Sequence, residues 1–178
     1  MEKRGLLIII IMVAAFFYFS GNSGNGFNVR SYLPKSLQPS AQIPYEAVVY
    51  LGHHYHVYHG VCKSWEDARM FCEDVGGHLA VIDNEDENGK IYKIMRDSGF
   101  KTAYFGFSNA NPQNIWEWTN NSDVKFTSWS AGEPKSLPDF NYARFMENSK
   151  GLWCTSSFYK DEEINSSEGI AFICEWDE

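Results

Sequence analysis

Lys3 and Arg4 stand directly before an uninterrupted apolar run, Leu6 to Phe19, and no other feature constrains this chain as much. A helix across a bilayer core needs roughly 20 apolar residues, whereas the apolar part of a secretory signal needs about 7–15. Length favours a signal. The ending Phe16-Phe17-Tyr18-Phe19 is bulky where a peptidase wants small residues, and Gly21-Asn22-Ser23 is the best cut available. Retained as an anchor, the run would gain Gly5 and Ser20 and set its aromatics at the interface. Either way the basic N-terminus stays cytoplasmic and residues 21–178 lie outside the cytoplasm, secreted or carried on a single-pass membrane segment. Residues 1–20 are thus the signal or signal-anchor. Residues 21–44, rich first in Gly, Asn and Ser and then marked by Pro34, Pro39 and Pro44, read as a flexible stalk. Residues 45–178 remain for one domain.

That domain has the material for a core, since 44% of the chain is hydrophobic and 16% aromatic. The net charge of −8 excludes a nucleic-acid partner and an anionic lipid surface, both of which need a basic face. Ala47–Tyr58, rich in Val and Tyr and broken at Gly52, predicts two short strands or a hairpin. Ser64 is suited to cap a helix carrying Trp65, Ala68, Cys72 and Val75 inward, and Gly76-Gly77 stops it. A strand is expected over His78–Ile82. Asp83 or Asn84 then caps a second helix with Ile91, Ile94 and Met95 inward and Gly99 at its end. Strands follow at Tyr104–Phe107, Trp116–Trp118, Phe126–Trp129, Asn141–Phe145, Leu152–Cys154 and Ile170–Trp176. Early helices and a β-rich remainder make the fold α+β.

The histidines His53, His54, His56 and His59 crowd one predicted strand. Alternation puts His54, His56 and Tyr58 on one face and His53, Tyr55 and Val57 on the other. Two imidazoles on one face suit Zn²⁺ or Cu²⁺, but one strand cannot supply a closed set of four ligands, and His78 is the one further histidine. A polar outer face explains the cluster more simply. No nucleophile elbow, zincin helix or P-loop is present, so no enzyme activity and no required cofactor are expected.

In order and spacing, the segments SWEDARMFCEDVGGHLAVI (Ser64–Ile82), YFGF (Tyr104–Phe107), WEW (Trp116–Trp118), SWSAGEP (Ser128–Pro134), LW (Leu152–Trp153) and FICEW (Phe172–Trp176) resemble the C-type lectin-like domain. The resemblance covers 45–178. It implies a looped fold whose first and last strands pair, two flanking helices, and a long irregular loop that presents the ligand. It also implies a disulfide Cys72–Cys174. With that pair taken, Cys62 and Cys154 are left over. Outside the cytoplasm leftover thiols more often pair, so Cys62–Cys154 is the second expected bridge.

Sugar-binding members of that family hold Ca²⁺ with a Glu-Pro-Asn triplet, a further Glu and an Asn-Asp pair. Here the matching positions are Glu133-Pro134-Lys135, Phe140 and Cys154-Thr155, which leave Glu133 as the one carboxylate. Six to eight hard oxygens are not within reach. Recognition, of a glycan or of a protein, is therefore expected to be calcium-independent, with Glu133, Lys135, Asp139, Phe140 and Tyr142 as candidate ligand-binding residues; Phe158 and Tyr159 are further aromatics in reach. A separate structural Ca²⁺ is implied at Val81, Glu87 and Glu175, to be weighed against an acidic helix start that only complements the dipole.

Overall fold

Ser64 turns the chain into its first helix. Its side chain accepts a hydrogen bond from the Asp67 N–H at 3.0 Å, and α1 (Trp65–Asp74) follows with Trp65, Ala68 and Cys72 buried. Asn84 does the same for Glu87 at 2.9 Å and opens α2 (Glu85–Asp97), which buries Ile91, Ile94 and Met95. Acidic residues fill the first turn of both helices, where the dipole favours them.

The computed structural model describes residues 40–156 and 170–177. The Leu6–Phe19 run, most of the proposed stalk, and Phe158 and Tyr159 lie outside them. Among the described residues no helix is long and apolar enough to cross a membrane.

The strands are β1 (Val48–Tyr50), β2 (His53–His59), β3 (His78–Leu79), β4 (Tyr104–Ser108), β5 (Glu117–Trp118), β6 (Tyr142–Phe145), β7 (Trp153–Ser156) and β8 (Ala171–Asp177). They order as β1-β2-β8-β4-β6-β7, with β3 beside β8 and β5 beside β4. The N-terminal hairpin pairs with the last strand through β2, antiparallel, from His53 opposite Asp177 to His59 opposite Ala171. Glu85–Asp97 and one sheet face enclose a core of Tyr55, Ile91, Met95, Phe105, Phe107, Trp118, Phe145 and Trp153. A second cluster, with Trp65, Cys72, Leu79, Phe172, Cys174 and Trp176, lies under α1. The structure is α+β.

One expected strand is cut short and another is absent. The strand at His78 ends at Leu79: the Ala80 N–H still bonds the Ile173 carbonyl in the β8 register, but the Ala80 carbonyl turns to the Gly106 N–H of β4. Phe126–Trp129 is not a strand: it makes one bridge, Trp129 to Trp153, and sends Phe126 and Trp129 singly onto the Trp153 ring at 5.7 Å each.

Cys72 and Cys174 are joined, tying α1 to β8 across a Cα separation of 5.6 Å. Cys62 and Cys154 are not joined to each other. The ladder places Phe172, Tyr104, Arg144 and Cys154 in one row across β8, β4, β6 and β7. Cys154 therefore stands three strand spacings, about 14 Å, from β8. The Cys62 carbonyl is held by the Ile170 N–H at the head of β8. A disulfide tolerates no more than about 7 Å between Cα atoms. Burial, helped by the Asp67 carboxylate, pushes the Cys62 thiol up to about 11, so it is a packed thiol rather than a reactive one.

Candidate functional site

Glu133 sits where the long loop turns back over β7, at a cis Glu133–Pro134 peptide. Its carboxylate is only 8% exposed. One oxygen, Oε2, accepts from the Thr155 N–H at 3.0 Å, from the Thr155 hydroxyl, and from the Lys135 N–H at 3.2 Å. The other, Oε1, faces the Lys135 ammonium at 3.7 Å. That ammonium also lies over the Phe140 ring, 5.1 Å from its centroid. The loop thus brings Glu133, Lys135 and Phe140 together around Thr155, with a side-chain cation beside the carboxylate.

Of the other expected ligand residues, Asp139 is exposed in a left-handed turn at φ 73°. Tyr142 does not face a ligand. It is buried, stacked on Trp65 at 4.9 Å, with its hydroxyl directed at Glu66. The alternation of β6 decides this: Tyr142 and Arg144 share a face, and Tyr142 meets the cluster under α1. Beside Glu133 lies a cleft of about 710 Å³ lined by Lys101, Thr102, Ser130, Arg144 and Glu147. Thr155, which the sequence marks only as standing in place of the family's Asn-Asp pair, is buried and serves the Glu133 carboxylate from 22 residues away.

The second candidate set assembles at the other end of the sheet. Glu87 and Glu175 are both buried and converge on the Tyr55 hydroxyl, at 2.9 and 3.3 Å. Each carboxylate spends its other oxygen on a backbone N–H: Glu87 on Asp83 at 2.7 Å and Glu175 on Val81 at 2.8 Å. Val81 thus presents its N–H to Glu175. The set is a hydrogen-bonded network centred on a phenol, and an open oxygen cage for Ca²⁺ would require those donors to leave. Burial, aided by the two carboxylates, raises the Tyr55 phenol far above its ordinary value. Burial also pushes Glu175 up to about 8, although the Val81 N–H and His53 oppose the shift.

The tryptophans are structural. Trp65, Trp118, Trp153 and Trp176 are buried, and Trp116 and Trp129 pack against the main core. The Trp153 indole N–H donates to Asn88 at 2.7 Å, whose amide in turn donates to the Gly151 carbonyl at 2.9 Å.

With these features in place, comparison with known proteins gives a consistent answer. The family model described as Lectin C-type domain matches residues 61–175. The chain belongs to the C-type lectin family. A C-type lectin of Micrurus corallinus is 30% identical over 116 residues, covering 63% of this chain and 70% of that one. Among solved structures, human lithostathine superimposes on this lectin-like domain with a TM-score of 0.63 at 19% identity, covering 76% of this chain and 99% of that one. A calcium-independent type II antifreeze protein does so with a TM-score of 0.60 at 18% identity, covering 75% and 93%. At such identities the two structures bear on the fold alone.

Proposed function

We propose that this domain is an extracytoplasmic recognition module that binds a glycan without calcium, through the face formed by Glu133, Lys135, Phe140 and the adjoining cleft. The observation that carries this reading is the state of Glu133, whose oxygens are taken by Thr155 and Lys135. Divalent coordination would have to displace an ammonium group and break buried hydrogen bonds, each costing about 1–3 kcal/mol. A cleft with cationic, anionic and hydroxyl groups beside a half-exposed phenyl ring suits a polyol, which needs directional donors and acceptors and a ring to stack on. Asp139, exposed on the same loop, is a further acceptor for such a ligand.

Exposed Met146 and Leu152, neighbours across the β6–β7 turn, favour a second reading in which the ligand is a protein. In both readings Leu6–Phe19 delivers the domain outside the cytoplasm and is retained as an anchor. The Glu87–Tyr55–Glu175 network, on this view, stabilises the fold through its hydrogen bonds and needs no Ca²⁺.

A glycan array and a pull-down with the full chain, each run with and without EDTA, test the proposal. The expected result is a glycan signal that survives EDTA and falls in Lys135→Ala and Phe140→Ala. A signal lost in EDTA would overturn calcium independence. An empty array with an EDTA-resistant protein captured through Met146 and Leu152 would move the assignment to the second reading.

A further inference from the structure

We propose that His53, Glu175 and Asp177, with His78 beside them, form a binding site for a divalent transition-metal ion of the zinc class. Strand register brings the four together. At this end β8 lies between β2 and β3, with His53 opposite Asp177 and His78 opposite Glu175. Residues directly opposed across a ladder share a face, as do residues two apart on one strand. Two strands thus aim the His53 imidazole and two carboxylates at one spot, and β3 sets His78 against Asp177 beside it.

The distances are close to those a small cation requires. His53 Nδ1 is 2.8 Å from Glu175 Oε1 and 2.9 Å from Asp177 Oδ1, and the ligand atoms of these three residues all lie within 4.8 Å of one another. Zinc bonds to nitrogen and oxygen are about 2.0–2.2 Å long, so tetrahedral ligands stand about 3.4 Å apart. The two His53 contacts would each have to lengthen by only about 0.5 Å to reach that spacing.

Proton bookkeeping points the same way. The His78 Nδ1 meets the Leu79 carbonyl at 2.9 Å, and a carbonyl can only accept, so that nitrogen carries hydrogen. Nε2 then faces Asp177 Oδ2 at 3.4 Å, a contact between two lone pairs unless a proton or a metal ion intervenes. His53 Nδ1 meets two carboxylate oxygens, which a single N–H reaches only by sharing its hydrogen between them. Both rings look onto carboxylate oxygens, and a bound cation would take the place of the protons shared between them. A backbone carbonyl that fixes the far nitrogen is the usual support of a metal-binding imidazole.

The site is also built on one side and open on the other. Glu175 is 3% exposed and oriented by the Val81 N–H, whereas Asp177 is 60% exposed and leaves room for water as a further ligand. Imidazole nitrogen mixed with carboxylate oxygen suits zinc and its first-row neighbours over calcium or magnesium.

Calorimetric titration of the chelator-stripped full chain with ZnCl₂ tests the site. One ion per chain is expected, with affinity falling at least about tenfold in His53→Gln and Asp177→Asn, and by about tenfold or more in His78→Gln. His56→Gln, on the other face of β2, should bind as the parent does. Thermal melts confirm that each variant folds; if His53→Gln does not, the exposed Asp177→Asn decides. Cobalt(II) gives a second readout, a visible absorption band that disappears in Asp177→Asn. No zinc uptake, uptake unchanged in Asp177→Asn, or zinc displaced by equimolar CaCl₂ would each overturn the proposal.

Discussion

Asn88 satisfies two groups that would otherwise be stranded in the core, the Trp153 indole N–H and the Gly151 carbonyl. Gly151 adopts φ 101°, and a side chain there would come within 2.8 Å of the Asn88 amide. Asn88→Ala should therefore cost about 2–6 kcal/mol, one desolvation penalty for each orphaned group, read as a lower denaturant midpoint at unchanged slope. Glu175 carries a different signature. Its carboxyl, facing His53, Tyr55, Glu87 and Asp177, titrates near 8 when folded against an ordinary 4.5. The folded state thus prefers the proton. The stability this confers is complete below the ordinary value and is lost as pH rises through the window up to about 8, at no more than about 1.4 kcal/mol per pH unit. In EDTA, the melting temperature should fall between pH 5 and 8 in the parent and stay nearly level in Glu175→Gln. Equal slopes in the two proteins would contradict the assignment.

Among the elements, the helices and the sheet's long partners were readable because each announces itself locally: a cap, a period, a glycine stop. Asn84 rather than Asp83 proved to be the second cap, a distinction that rests on side-chain reach alone. Phe126–Trp129 was misread because aromatic richness signals burial as readily as strand, and here each ring enters the core from an irregular backbone. The pairing of Glu133 with Lys135 was close to legible, two residues apart in a triplet. Its closure by Thr155, like the meeting of His53 with Asp177, depends on ladder register between distant segments, which no local pattern encodes. The burial of Tyr142 was legible from β6 alternation, had the inward residues of that strand been known. Close packing between elements gives a sharp test at Gly106, in β4. A methyl group there would stand 2.5 Å from the Thr119 hydroxyl and 2.6 Å from the Leu79 carbonyl. Gly106→Ala should destabilise by about 1–3 kcal/mol or more, measured by urea unfolding, since backbone rather than a flexible tip must yield.

For the molecule as a whole, the Cys72–Cys174 bridge closes a loop with a sequence separation of 102. Chain-entropy arithmetic assigns such a loop about 4–5 kcal/mol. The double variant Cys72→Ala/Cys174→Ala, or the parent under a strong reductant, should lose stability of that order in guanidinium unfolding. A loss below about 1 kcal/mol would mean that the unfolded chain is already compact without the bond. Both the disulfide and the sheet lean on the same late segment: Ala171–Asp177 pairs with β2, β3 and β4 and brings Cys174 to α1.

That dependence has a consequence in time. His53 and Asp177 face each other across 124 residues of chain, and at a synthesis rate of about 5–20 residues per second β2 waits roughly 6–25 s for the strand that completes it. During that interval β2 has an open edge and Cys72 has no partner thiol in place. The domain cannot acquire its sheet step by step behind an advancing ribosome. Its sheet closes only once Ala171–Asp177 is available, in a single late event.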